Sequence, residues 1–263
     1  MNKKMTITSI QKTKGVRPLV MITAYDALFA KLLETSSDMI LVGDSLNMSF
    51  AGKSDTLSAT MDQMIYHTDA VCRGAKNSFV VCDMPFGTYT NKEDALSNAI
   101  RVFQETSADC VKIEGGEDRA EIVKHLTSNA IAVCGHIGLL PQSVRSEGGY
   151  KVKGKNEQER LQLVKDAKAI EEAGAFCMVI EGVKADVASE VAKSVSIPVI
   201  GIGAGADVDG QVLVFSDMLG FFEEFTPKFV KKYMDGASLV KDAIQNYADE
   251  VKTRKFPKEE HTY

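Results

Sequence analysis

The sequence has no excess of positive charge: 31 Lys+Arg stand against 36 Asp+Glu, for a formal net charge of -5. That removes the electrostatic reason to expect nucleic acid or an acidic membrane as partner, and leaves a small molecule as the default. Long hydrophobic runs are missing too. No stretch is long enough to cross a bilayer, and Lys3 and Lys4 are followed by no apolar h-region, so a cytoplasmic protein is expected. Cysteine is scarce and unpatterned. Cys72, Cys82, Cys110, Cys134 and Cys177 show neither CxxC nor Cys/His ligand spacing, and most lie inside apolar runs, where they read as small buried hydrophobes in a reducing compartment. Nothing beside them in sequence would generate a thiolate, so a cysteine nucleophile is not favoured. There is also no shift in composition that would divide the chain. Its 263 residues are the usual size of one (β/α)8 barrel, and 1–263 is read as a single domain.

What the chain does have is one pattern repeated. Leu41-Val42-Gly43-Asp44-Ser45 closes the apolar run Met39 to Val42 on a carboxylate and a hydroxyl. Taken alone, that pair is as well explained by a helix cap or a turn. The pattern recurs, however. Phe79-Val80-Val81-Cys82 ends on Asp83, Cys110-Val111 leads to Lys112 and Glu114, Ala132-Val133-Cys134-Gly135 ends on His136, and Phe176 to Ile180 ends on Glu181. Short apolar runs that each exit on an ionisable group, separated by helical patterns such as Met61 to Arg73 and Glu157 to Ala173, are what an α/β chain of one particular kind looks like. It is a single (β/α)8 TIM barrel with its active site at the C-terminal ends of the strands. Val20 to Asp26, Ile197 to Gly205 and Gln211 to Phe215 supply the remaining strands, and Pro227 to Lys232 and Ser238 to Lys252 read as closing helices.

The strand ends suggest a chemistry. Asp44 and Asp83, on neighbouring strands, would face one cavity. Two unpaired carboxylates repel and are costly to bury, so a hard divalent cation is the natural resolution. Mg2+ fits best, because it takes only one or two protein carboxylates and fills its octahedron with water and substrate oxygens. The competing reading leaves each carboxylate solvated or paired with a lysine. Period 2 puts Lys112 and Glu114 on one face of their strand. Lys112 then suits a substrate carboxylate and Glu114 the metal, directly or through water, unless the two are a simple ion pair inside the barrel. His136 can bind metal, exchange protons or donate to a substrate oxygen; with carboxylates available for a hard ion, a hydrogen-bonding role behind the metal's ligands is favoured. Glu181 follows an apolar strand, which suits a general base, although a lone glutamate is more often a surface carboxylate. Asp26 reads as the cap of a helix starting at Ala27, His67 as a structural histidine, and the long loop Asn47 to Thr60 as a lid or substrate loop.

Several of these stretches carry a resemblance. Thr23-Ala24-Tyr25-Asp26, Val42-Gly43-Asp44-Ser45-Leu46, Asp83-Met84-Pro85-Phe86, Val111-Lys112-Ile113-Glu114-Gly115-Gly116, Gly135-His136-Ile137-Gly138-Leu139, Pro141-Gln142-Ser143 and Gly148-Gly149-Tyr150-Lys151 follow one another in order along the chain. In these motifs, and in Tyr66-His67-Thr68, Ile197 to Gly205, Asp209-Gly210-Gln211 and Pro227-Lys228-Phe229, the chain resembles the ketopantoate hydroxymethyltransferase family. The resemblance implies hydroxymethyl transfer from 5,10-methylenetetrahydrofolate to 3-methyl-2-oxobutanoate, giving 2-dehydropantoate for pantothenate biosynthesis. It implies Asp44, Asp83 and Glu114 about a Mg2+ ion, Asp44, Ser45, Asp83 and Lys112 on the 2-keto acid, Glu181 as the proton acceptor, and a homodecamer. The chain departs from the family pattern at Gly182 and Lys184, at Ser216-Asp217 and around Ser58-Ala59. None of these removes a residue assigned above.

Two other readings share parts of this logic. A Mg2+-dependent 2-keto-acid lyase or mutase barrel would use the same enolate chemistry, but its characteristic cysteine loop is not found here. A non-catalytic metabolite-binding barrel would have no need of a base over the substrate carbon, and the set Asp44, Asp83, Lys112, Glu114 and Glu181 is intact.

Overall fold

Parallel strands covered on both faces need continuous apolar runs rather than alternation. The computed structural model, which describes residues 4–223 and 226–263, turns those runs into eight strands. They are β1 (Leu19–Thr23), β2 (Met39–Val42), β3 (Phe79–Asp83), β4 (Cys110–Glu114), β5 (Val133–Gly138), β6 (Cys177–Glu181), β7 (Val199–Ile202) and β8 (Gly210–Leu213). Each pairs in parallel with the next, and β8 returns to β1 through Leu19↔Gly210 and Met21↔Val212, closing the barrel. The (β/α)8 expectation therefore holds.

Side chains of one parity fill the interior. Leu19, Met21, Met39, Leu41, Phe79, Val81, Cys110, Cys134, Cys177, Val179, Ile200, Ile202 and Val212 form one buried cluster, joined by Ile10 from the short helix Ile7–Gln11. Continuing the same parity one step toward the C-terminal ends leads from Val81 to Asp83, from Cys110 to Lys112 and Glu114, from Cys134 to His136 and from Val179 to Glu181. The packed core thus becomes a polar floor within one or two residues, because the barrel offers no other inward direction.

The helices begin where capping chemistry allows. Asp26 accepts from Phe29 N at 2.9 Å at the head of the helix Ala27–Leu33, as its sequence position suggested. Thr60 and Gln63 form a capping box for Met61–Gly74, and Asn91 and Asn156 cap Lys92–Glu105 and Glu157–Glu172. Helices Ala120–Ser128 and Ala185–Ser194, which sequence reading did not delimit, complete the connections.

By compactness the chain divides into Met1–Val214, which holds the barrel, and Phe215–Tyr263. In the second unit one expectation fails. Pro227 to Lys232 is not helical: beyond a single turn closed by Val230 N to Pro227 O, the chain bonds to another segment, with Tyr233 N, Gly236 N and Ala237 N donating to Met218, Leu219 and Gly220 carbonyls. The long helix there runs Gly236–Lys252. No helix among the described residues is long and apolar enough to cross a membrane.

Candidate active site

Strand register decides which polar groups meet. Asp83 sits opposite Lys112, Glu114 opposite His136, and Gly138 opposite Glu181. Accordingly Lys112 Nζ lies 3.0 Å from Asp83 Oδ1 and 3.1 Å from His136 Nδ1. The imidazole lies between two carboxylates, with Nδ1 3.5 Å from Glu114 Oε1 and Nε2 3.4 Å from Glu181 Oε2. Asp44 enters from β2, its backbone N–H donating to Asp83 Oδ2 at 3.0 Å. The ionisable strand ends identified in sequence are thus brought to one place.

The cap reading of Asp44-Ser45 does not survive. Ser45 precedes the helical turn Leu46–Ser49 without a side-chain capping bond, and its hydroxyl instead shares a 2.8 Å hydrogen bond with Tyr25 OH. The Asp44 carboxylate accepts from Gln142 Nε2 at 2.8 Å. Asp26 and His67 keep structural roles; His67 Nδ1 bonds the Tyr25 carbonyl.

Burial makes this cluster electrostatically tense. Asp44, Asp83, Lys112, Glu114 and His136 are each no more than 5% exposed, whereas the Glu181 side chain is 19% exposed and reaches the mouth. Burial, then the charges of Asp83 and Glu114, push Asp44 well above the usual carboxylate range. Burial raises Asp83 as well, against the Lys112 ammonium. For Glu114 burial is outweighed by the His136 hydrogen bond and the nearby positive charges, and its carboxyl is held below the usual range. Burial and Lys112 push His136 down, but Glu114 and Glu181 together carry it up to about 9. Burial likewise opposes the Lys112 charge, and the surrounding Asp83, Glu114 and Asp44 more than restore it.

Could such a site hold Mg2+? The lysine-paired alternative is realised at Asp83. Even so, Asp44 is buried beside the like charges of Asp83 and Glu114, a cost that a divalent cation would offset. Among the described residues no three His, Cys, Asp or Glu side chains form a ready-made metal cluster. Asp83 Oδ1 has no partner other than the Lys112 ammonium, and Mg2+ needs only one or two protein carboxylates. The donor set fits the ion.

Two residues that sequence reading did not place in the site sit at its centre. Gln142, in the turn Pro141–Ser143, donates its backbone N–H to Glu114 Oε2 at 3.0 Å and its side-chain amide to Asp44 Oδ2 and to the Met84 carbonyl. Tyr89 donates its buried hydroxyl to Gln142 Oε1. Neither lies on a strand end or carries a charge that would have drawn attention to it.

Comparison with known proteins decides among the barrel chemistries compatible with this geometry. A model of ketopantoate hydroxymethyltransferase matches residues 4–259. The chain belongs to the ketopantoate hydroxymethyltransferase family. Relatives named 3-methyl-2-oxobutanoate hydroxymethyltransferase include one from Sulfurimonas denitrificans, 80% identical over 100% of both chains. Another, from Aliarcobacter butzleri, is 65% identical over 99% of this chain and 97% of its own. Among solved structures, 2,3-dimethylmalate lyase aligns with a TM-score of 0.60 over 97% of this chain and 91% of its own, at 15% identity. Phosphonopyruvate hydrolase aligns with a TM-score of 0.63 over 95% and 88%, at 14% identity. These likenesses show a shared barrel fold. Membership of the hydroxymethyltransferase family separates this chain from the lyase and mutase chemistry considered above.

Proposed function

We propose that this enzyme transfers a hydroxymethyl group from 5,10-methylenetetrahydrofolate to 3-methyl-2-oxobutanoate, giving 2-dehydropantoate through the enolate of the keto acid. The observation that carries the reading is a solvent-reaching carboxylate, Glu181, standing at the rim of a buried nest of Asp44, Asp83, Lys112 and Glu114. Family membership supplies the substrate.

In this reading Asp44 and Asp83 would hold Mg2+, with Glu114 completing its surroundings. The ion, when bound, supplies a Lewis acid that makes the carbon beside the ketone easier to deprotonate. Lys112 has its ammonium fixed by Asp83 and offers charge to the substrate carboxylate. Ser45, oriented by Tyr25, offers a hydroxyl from the adjacent strand end. Glu181 takes the proton from C3 as general base, and His136, within reach of its carboxylate, holds that side chain in place. The cytoplasm is the proposed location, in keeping with five cysteines that are all free thiols.

The test is proton exchange at C3 of 3-methyl-2-oxobutanoate, followed by NMR in deuterated buffer with and without Mg2+. Mg2+-dependent exchange is expected, with Glu181→Gln slower by at least ~100-fold, the usual worth of a general base. A non-catalytic binding barrel would bind the keto acid and leave its C3 proton in place. Absence of exchange even after addition of the methylene-folate donor would overturn the proposal.

A further inference from the structure

Gln142 reaches the site from the loop after β5, yet it touches the ends of β2, β3 and β4 at once, through Asp44, Met84 and Glu114. Its amide is fully engaged. Both N–H hydrogens are used, on Asp44 Oδ2 at 2.8 Å and on Met84 O at 3.0 Å, while Oε1 accepts from Tyr89 OH. Rotating the amide by half a turn would set its oxygen against the Asp44 carboxylate and the Met84 carbonyl, acceptor facing acceptor. Those two acceptors fix which end of Gln142 faces Asp44, and the Tyr89 O–H donated to Oε1 anchors the other end. Burial, then the nearby Glu114 carboxylate, keeps that phenol protonated, so it remains a donor.

We infer that Gln142 is a positioning residue for the cation site: anchored by Tyr89, it caps Asp44 Oδ2 and holds Glu114 Oε2, so that Asp44 presents its other oxygen to a divalent ion. The inference rests on the cation reading given above. A donated hydrogen bond of this kind fixes the orientation of a carboxylate that holds a metal. Other members of the site cannot do this. Lys112 is committed to Asp83 and His136, and the Asp44 backbone N–H to Asp83. Gln142 also lies beyond the strand-end pattern from which the rest of the site is legible, so its part depends on loop geometry alone.

The probe is Mn2+, titrated into metal-free protein and followed by the loss of the free-ion EPR signal, for the wild type, Gln142→Leu and Tyr89→Phe. Gln142→Leu keeps the volume and removes every side-chain hydrogen bond; its Mn2+ affinity is expected to fall by ~10-fold or more, the typical loss when a group that orients a metal ligand is removed. Tyr89→Phe leaves Gln142 in place but unanchored at Oε1, and a smaller loss, of about 3-fold, is expected within the context dependence of such effects. Melting temperatures recorded on the same samples separate positioning from collapse, since a purely structural role would lower the melting point without a matching loss of ion affinity in the folded protein. If Gln142→Leu does not fold, the Tyr89→Phe titration decides. Wild-type Mn2+ affinity in folded Gln142→Leu, or in Tyr89→Phe where it decides, overturns the inference while leaving the cation reading intact. A wild type that binds no Mn2+ overturns the cation reading and this inference with it.

Discussion

Among single side chains, Asp44 bears most of the electrostatic tension in the site. It is 3% exposed and faces the charges of Asp83 and Glu114, so its folded-state pKa is raised above the unfolded value. A group shifted in that direction contributes stability below its unfolded pKa, and the contribution is lost as pH rises through the folded value. At neutral pH an ionised Asp44 is therefore a net cost to the metal-free protein. Asp44→Asn keeps the shape and an oxygen for the Gln142 amide. It is expected to make the metal-free protein more stable by about 1 kcal/mol, as removal of strain at functional sites commonly does. It should also abolish any rise in melting temperature on adding Mg2+. Urea unfolding in chelator, followed by melts with and without the ion, measures both effects. A metal-free variant less stable than the wild type would show that Asp44 is held by its neighbours rather than strained by them.

At the scale of elements, the end of β5 governs where the end of β6 lies. Gly138 has φ +96°, and a Cβ added there would meet the Glu181 carbonyl at 2.4 Å, while Leu139 N donates to that carbonyl at 2.8 Å. Gly87 also has positive φ, +83°, but has open space where its Cβ would go. Gly87→Ala should cost only the conformational penalty of about 1 kcal/mol. Gly138→Ala should cost about 3 kcal/mol and slow C3 exchange as well, because relieving the clash displaces the strand end that carries the base. Equal costs for the two in urea unfolding would argue against this coupling. The same strand ends explain what could be read in advance. In a closed parallel barrel, parity leaves an inward residue one direction to point, so Asp83, Lys112, Glu114, His136 and Glu181 were legible from short apolar runs alone. Gln142 and Tyr89 were not, since an uncharged amide and a phenol in irregular loops follow no period. The segment from Pro227 to Lys232 departs from its helical pattern for a related reason: the hydrogen bonds just beyond it go to 218–220, and local pattern carries no information about a distant partner.

At the scale of the whole molecule, each unit leaves large apolar side chains exposed. In the barrel unit, Leu28 and Leu32, one helical turn apart on Ala27–Leu33, are 67% and 62% exposed. In the second unit the helix Gly236–Lys252 carries Val240, Ile244, Tyr247 and Val251, a spacing that places them along one face, and all are exposed. Within that helix only Gly236 and Ala237 are buried. Apolar faces of this kind on a globular chain mark association surfaces, and a second copy is the partner always present at matching concentration. The family resemblance implies a homodecamer, so sedimentation equilibrium of the wild type is expected to return ten chain masses. Ile244→Glu combined with Tyr247→Glu places like charges in the middle of the stripe and is expected to yield smaller species, with the far-ultraviolet dichroism of the barrel retained. A wild type sedimenting as a single chain would overturn the assembly. A charged double variant that still sediments as a decamer would move the interface from this helix to another face.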